Sequence, residues 1–112
     1  MMQSYRLGEV VLLKFPFADQ QDVKKRPALV LLDADDADIL VARITSQDMD
    51  TDYDVRLEEW RLAGLLLPSV VRMHKLATLQ KTLVERQLGI LTQKDMSNIQ
   101  ARLKQMWENQ FR

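Results

Sequence analysis

The chain has 112 residues, 16 basic and 16 acidic side chains, one histidine and no cysteine. The length fits one domain over residues 1–112, and the lack of cysteine excludes a disulfide scaffold or a thiolate metal site. A 46% share of hydrophobic residues argues against a disordered segment, while no run of ~18 uncharged apolar residues offers a membrane span. The start MMQSYRLGEVV lacks a basic segment followed by an apolar stretch, so the expected compartment is the cytoplasm.

In chain order, Gly8 to Phe15 is a Val- and Leu-rich run closed by Pro16 and reads as a buried strand. Residues 16–25 are polar and read as an extended loop pinned by Pro27. Ala28 to Leu32 is a second strand, and Asp33, Asp35 and Asp36 form the turn into a third strand, Ile39 to Ile44. Residues 46–54 show no apolar period and read as a loop, followed by a short strand near Tyr53 to Leu57. A helical turn over Glu58 to Ala63 ends at Gly64, the residue type favoured just past a helix. After Pro68, two short strands are expected, Val70 to Met73 and Leu76 to Leu79, separated by His74 and Lys75.

The strongest helical signal runs from Thr92 to Asn109. Thr92 is its N-cap, Asp95 gives a weak capping box, and Met96, Ile99, Leu103, Met106 and Trp107 share one face. Met106 and Trp107 are assigned to the helix core and Trp60 to packing, with the border of a binding groove as the alternative for Trp60. Five or six short strands and one terminal helix make a mainly β fold, for which a small barrel is the natural closure. That pattern excludes repeat architectures, helix bundles and doubly wound α/β folds.

The zero net charge is unevenly spread. Residues 1–32 carry five basic and three acidic groups (+2), residues 33–59 two and ten (−8), and residues 60–112 nine and three (+6). A basic groove is compatible with this division if the acidic middle is a solvated region away from it. Gly8, Gly64 and Gly89 are scattered, so no phosphate-binding glycine loop exists. His74 has no second histidine or cysteine, and the aspartates of 33–54 lack calcium-loop spacing, so no metal or other cofactor is expected.

The polar residues at strand ends carry the functional signal. Gly8-Glu9-Val10-Val11 comes first, then Arg26-Pro27-Ala28-Leu29-Val30, then Ile44-Thr45-Ser46. Gly64-Leu65, Ser69-Val70-Val71-Arg72 and the closing Leu88-Gly89-Ile90-Leu91-Thr92 follow. In this order, over residues 8–107, the chain resembles the MazF/PemK family of toxin endoribonucleases. The resemblance implies an SH3-like barrel of five to seven strands with a C-terminal helix, a homodimer, and a small antitoxin as partner. It also implies metal-free cutting of single-stranded RNA by attack of the ribose 2′-hydroxyl on the adjacent phosphate.

Carried over by motif, the resemblance makes Arg26 and Thr45 the main candidates. An arginine fork holds two phosphate oxygens, and a threonine hydroxyl can bond the phosphate or the attacking oxygen. Arg72 matches a further basic position, suited to charge stabilisation. The expected RNA contacts are Gln21, Lys24, Lys25, Ser46, Ser69 and Lys75. Two positions depart from the family pattern: Gln21 stands where many members have a carboxylate, and His74 where some have an aspartate. A histidine titrates near neutrality and can take acid or base duty.

Each candidate also has a plain structural reading. Arg26 would fix the loop before Pro27, Thr45 would be a strand-end residue, Arg72 a salt-bridge partner of the acidic segment, and His74 an ordinary surface or core residue. The alternative function is a non-cleaving binding module on the same barrel, either a degenerate member or one of the gyrase-inhibitor type.

Overall fold

A computed structural model describes residues 3–16 and 23–112. Six antiparallel strands follow one another: β1 (Glu9–Pro16), β2 (Val23–Leu32), β3 (Asp38–Thr45), β4 (Asp54–Arg56), β5 (Val70–Gln80) and β6 (Val84–Ile90). A 3-10 turn (Lys81–Leu83) links β5 to β6, and the helix α1 (Gln93–Asn109) closes the chain. The sheet order is β4-β5-β3-β2-β1-β6. The mainly β fold with a terminal helix is as expected, but the barrel is not closed by hydrogen bonds, because β4 and β6 are both edges.

The continuous apolar runs of β1 and β2 bury both faces of the sheet's middle. On one face Val10, Leu29, Ile44, Val71 and Met73 pack with Ile99 of α1. On the other, Val11, Leu13, Ala28, Val30 and Val41 gather around Tyr5.

Three elements differ from the sequence reading. β2 starts at Val23 and takes in Pro27, which pairs with Leu12 of β1. The β2–β3 ladder begins only at Ala28, so Pro27 lies where one side of the strand is unladdered and a missing N–H is tolerated. The two strands expected at 70–79 are one. Ala42 pairs with Leu76 but Arg43 with Arg72, so Met73, His74 and Lys75 form a bulge within a continuous strand. β6 was hidden by its charged residues, Glu85 and Arg86, which obscure a period of two.

The connection between β4 and β5 covers the gap between the sheet edges. Gly64 has φ +86°, its N–H donates to the Arg61 carbonyl and that of Leu65 to the Trp60 carbonyl, the paired bonds of a Schellman helix end. A methyl group on Gly64 would fall 2.0 Å from the Leu88 carbonyl oxygen, and one on Gly89 would fall 2.4 Å from that of Ala63. The two backbones therefore touch where a barrel would close, and only glycine permits it.

The helix is tied to this connection by Asp95. Thr92 caps α1 by accepting from the Asp95 N–H at 3.4 Å. The Asp95 carboxylate does not return that bond as in a capping box. It is fully buried and accepts from the N–H groups of Glu58 and Glu59, both at 2.9 Å. The Thr92 hydroxyl donates to the Glu59 carboxylate at 2.6 Å. Ile99 is buried, and Met96, Leu103 and Met106 pack against the core, but Trp107 is 59% exposed. Trp107 lies about 100° round the helix from Met106, enough to turn it away from the core face.

Asp95→Ala strands two backbone donors, each losing a bond to a charged acceptor. A destabilisation of roughly 3 kcal/mol follows, readable as a lowered urea midpoint with unchanged slope. A change below about 0.5 kcal/mol would show that the helix docks without this carboxylate.

Candidate active site

Val30 faces Val41 and Ala28 faces Arg43, and the β2–β3 ladder stops there. Arg26 and Thr45 lie two residues beyond it, on β2 and at the end of β3. Both residues line a groove of about 550 Å³, closed on its far side by the β4–β5 connection through Leu65, Leu66 and Leu67. Leu66 is 92% exposed.

The remaining polar lining fixes what the groove can do. Thr45 Oγ1 accepts from the N–H of Gln47 at 3.1 Å, which leaves the Thr45 hydroxyl proton to be donated elsewhere. Ser46 lies beside it. Ser69, also in the lining, is buried and spends its hydroxyl on the Leu67 carbonyl at 2.7 Å, so it shapes the leucine wall. Lys25 is held by Glu85 at 2.8 Å, and its bond is the main cause that keeps the Glu85 carboxyl below its usual range. Arg43 and Arg86 complete the cationic lining, and no carboxylate side chain lines the groove among the described residues.

Lys24 and Lys75 lie on a second groove of about 500 Å³, which shares Arg26 and Arg43 with the first. The sequence candidates are thus divided between two adjoining grooves. Gln21 lies outside the described residues.

Arg72 and His74 stand apart from both. Arg72 Nε donates to Asp54 Oδ1 at 2.9 Å, and the side chains are 13% and 1% exposed, which matches the salt-bridge alternative for this arginine. Burial pushes the Asp54 carboxyl up, but the bond from Arg72 and those from the backbone N–H and hydroxyl of Thr51 prevail and hold it at about 2. His74 is exposed on the β5 bulge, its ring 5.4 Å from that of Tyr53.

The sequence reading passed over Arg43 and Arg86 as site residues. Arg43 was legible as the residue two before Thr45 on one strand, hence on the same face. Arg86 was not, because β6 went unread.

The Arg72–Asp54 pair sets an acid limit on stability. The folded Asp54 value of about 2 lies below the unfolded ~3.9, so its contribution is complete above about pH 4 and is lost as pH falls towards 2. Arg72→Ala leaves Asp54 buried without its cation, at a cost of roughly 3 kcal/mol. Urea midpoints measured against pH check both statements, and Asp54→Asn removes this component of the acid limb. An unshifted midpoint in Arg72→Ala would mean the pair contributes nothing.

Comparison with known proteins bears on the whole chain. The family model for PemK-like, MazF-like toxins of type II toxin–antitoxin systems matches residues 6–107. A sequence search of curated proteins finds no match. Among solved structures, a mycobacterial endoribonuclease in complex with its cognate antitoxin is similar at 19% identity and TM-score 0.73, covering 91% of this chain and 93% of that one. A MazE–MazF structure from Deinococcus radiodurans is similar at 22% identity and TM-score 0.75, with 93% and 96% covered. A MazF toxin of Mycobacterium tuberculosis gives 21% identity and TM-score 0.72, with 89% and 96% covered. With the family model spanning nearly the whole length and the fold shared, the chain belongs to the PemK-like, MazF-like toxins of type II toxin–antitoxin systems.

Proposed function

We propose that this toxin is an endoribonuclease that cuts single-stranded RNA in the groove lined by Arg26 and Thr45. The observation that supports the reading is that Arg26 and Thr45 line one groove in which no carboxylate side chain lies among the described residues. Such a groove attracts a polyanion despite the zero net charge of the chain.

In the proposed reaction the ribose 2′ oxygen attacks the adjacent phosphorus and the bond to the 5′ oxygen breaks. The 2′-hydroxyl loses its proton to an acceptor and the 5′ oxygen gains one. The fragments carry a 2′,3′-cyclic phosphate and a 5′-hydroxyl. Charge builds on the non-bridging oxygens, where the Arg26 fork meets two of them and the Thr45 hydroxyl donates to one. Because Gln47 already occupies a lone pair of Thr45 Oγ1, the role assigned to Thr45 is donation. Lys24, Lys25, Ser46 and Lys75 flank these two as RNA contacts, and Gln21 belongs with them as the proposed contact on the β1–β2 loop. Arg72 and His74 are assigned positions outside the chemistry, Arg72 as the partner of Asp54 and His74 as a ring packed on Tyr53.

The toxin works, in this reading, as a cytoplasmic homodimer restrained by an antitoxin. An acidic and apolar antitoxin tail suits the groove, its carboxylates on the arginines and its apolar side chains on Leu66 and Leu67. RNA and such a tail therefore compete.

Purified protein incubated with a long RNA in EDTA tests the reading, with the new ends mapped and their chemistry assayed. Cuts at a repeated short sequence, with cyclic phosphate and 5′-hydroxyl ends, are expected. An intact RNA would overturn the proposal.

Three variants test the assignment of roles. Arg26→Ala lowers kcat by about 10²- to 10³-fold, the usual loss for one transition-state donor, while the fold is kept. Arg26→Lys restores charge but not the fork, so rescue is incomplete. His74→Ala leaves the pH–rate profile unchanged; a lost step near pH ~6.5 with a drop of 10²- to 10⁴-fold would return His74 to the chemistry.

A further inference from the structure

We propose that Thr51 and Asp54 are positioning residues for Thr45: anchored by Arg72, they fix the far end of the β3–β4 connection and so aim the Thr45 hydroxyl into the groove. This rests on the endoribonuclease reading of that groove and extends it to residues outside the groove lining.

Residues 46–53 form a strap across the start of β5. Thr45 pairs with Val70 and Asp54 with Arg72 on opposite sides of that strand, so the ends of the strap stand about 10 Å apart, two strand spacings. Arg72 lies between Arg43 on β3 and Asp54 on β4. A like charge on one side and an opposite charge on the other turn its guanidinium towards β4, where Nε meets Asp54 Oδ1 at 2.9 Å. The other carboxylate oxygen of Asp54 accepts from the Thr51 N–H at 2.9 Å and from the Thr51 hydroxyl at 2.7 Å. The Asp54 N–H donates back to the Thr51 carbonyl at 3.1 Å, and the Met73 N–H donates to the Tyr53 carbonyl at 2.9 Å. The far end of the strap is thus tied to β5.

At the near end, the Gln47 N–H donates to Thr45 Oγ1 at 3.1 Å, and Ser46 and Gln47 line the groove beside Thr45. A threonine oxygen that takes an N–H on one lone pair has its own proton turned away from that donor. The place of Gln47 therefore sets the direction of the Thr45 hydroxyl. Between the two ends, Asp48 meets Arg56 in an exposed pair, a kind of contact that adds little. A short segment fixed at both ends has little conformational freedom, and releasing one end returns it. Thr51 and Asp54 are that fixed end.

A double-variant cycle on RNA cleavage separates positioning from general support of the fold. Thr51 is exposed, so Thr51→Val keeps the shape of the side chain, removes its hydroxyl bond to Asp54 and leaves the Arg72 pair in place. It lowers kcat by about 10-fold with KM little changed, within the ~10²-fold that a misplacement of about 1 Å can cost, and Thr51→Ser restores the rate. Thr45→Val lowers kcat by about 10²-fold, the usual loss for one transition-state donor. The two substitutions together cut at the rate of Thr45→Val alone, because an effect that acts through the Thr45 hydroxyl has nothing left to act on. In a wild-type protein that cuts RNA, three results would each overturn the inference while leaving the activity standing: full activity in Thr51→Val, full activity in Thr45→Val, or a Thr51→Val loss that persists undiminished in the Thr45→Val background. RNA left intact by the wild type would overturn the endoribonuclease reading, and this inference with it.

Discussion

Two backbone hydrogen bonds to one buried carboxylate hold the wall of the groove. Asp95 belongs to the first turn of α1, yet its oxygens accept from Glu58 and Glu59, at the start of the β4–β5 connection. That connection carries the Schellman turn at Gly64 and then Leu65, Leu66 and Leu67, the far side of the groove. A buried charge is retained only where it is satisfied, so helix and connection dock together. The open sheet makes this necessary. With β4 and β6 unpaired as edges, the meeting of Gly64 and Gly89 closes the body instead of a strand ladder.

The charge pattern follows the same division. The acidic segment does not face the groove: Asp33 takes the Tyr5 N–H and Lys81, Asp48 takes Arg56, and Asp54 takes Arg72. Its carboxylates are thus used to join elements of the fold, and each such bond removes one cation from solution. Arg26 and Arg43, which line the groove, make no ion pair among the described residues. Net charge therefore says little about this chain, because a field in a groove depends on which charges lack partners at close range.

The sequence told most where one residue type had one job. The apolar runs of β1 and β2, the Asp-rich turn into β3, the Gly64 stop and the Thr92 cap were all legible, since local sterics and local hydrogen bonds decide them. Arg26 and Thr45 were legible as candidates through the resemblance of their motifs to those of the MazF/PemK family. Legibility failed where tertiary pairing decides. Nothing local says that Val84–Ile90 would be a strand, or that the His74 and Lys75 break would be absorbed as a bulge by the register of β3. Nor could the sequence say that Asp95 would serve another segment rather than its own helix end. Arg72 was legible only as two alternatives, a site cation or a salt-bridge partner of the acidic segment, because its partner, Asp54, sits opposite it on β4, a strand of three residues.

The diversion of Arg72 also constrains the chemistry. A guanidinium bound to a nearly buried carboxylate is poorly placed to follow a phosphate through bond cleavage, since releasing it would strand Asp54. In the proposed reading the charge stabilisation then falls to Arg26, which makes no ion pair among the described residues and lines the groove. Thr45 is free to act as a donor in this reading, because the Gln47 N–H takes one lone pair of its oxygen and leaves the hydroxyl proton available. On the proposed reading, the described part of the groove answers negative charge that develops on phosphate oxygens, and its contribution is electrostatic, with Arg26 and Thr45 supplied by strands β2 and β3.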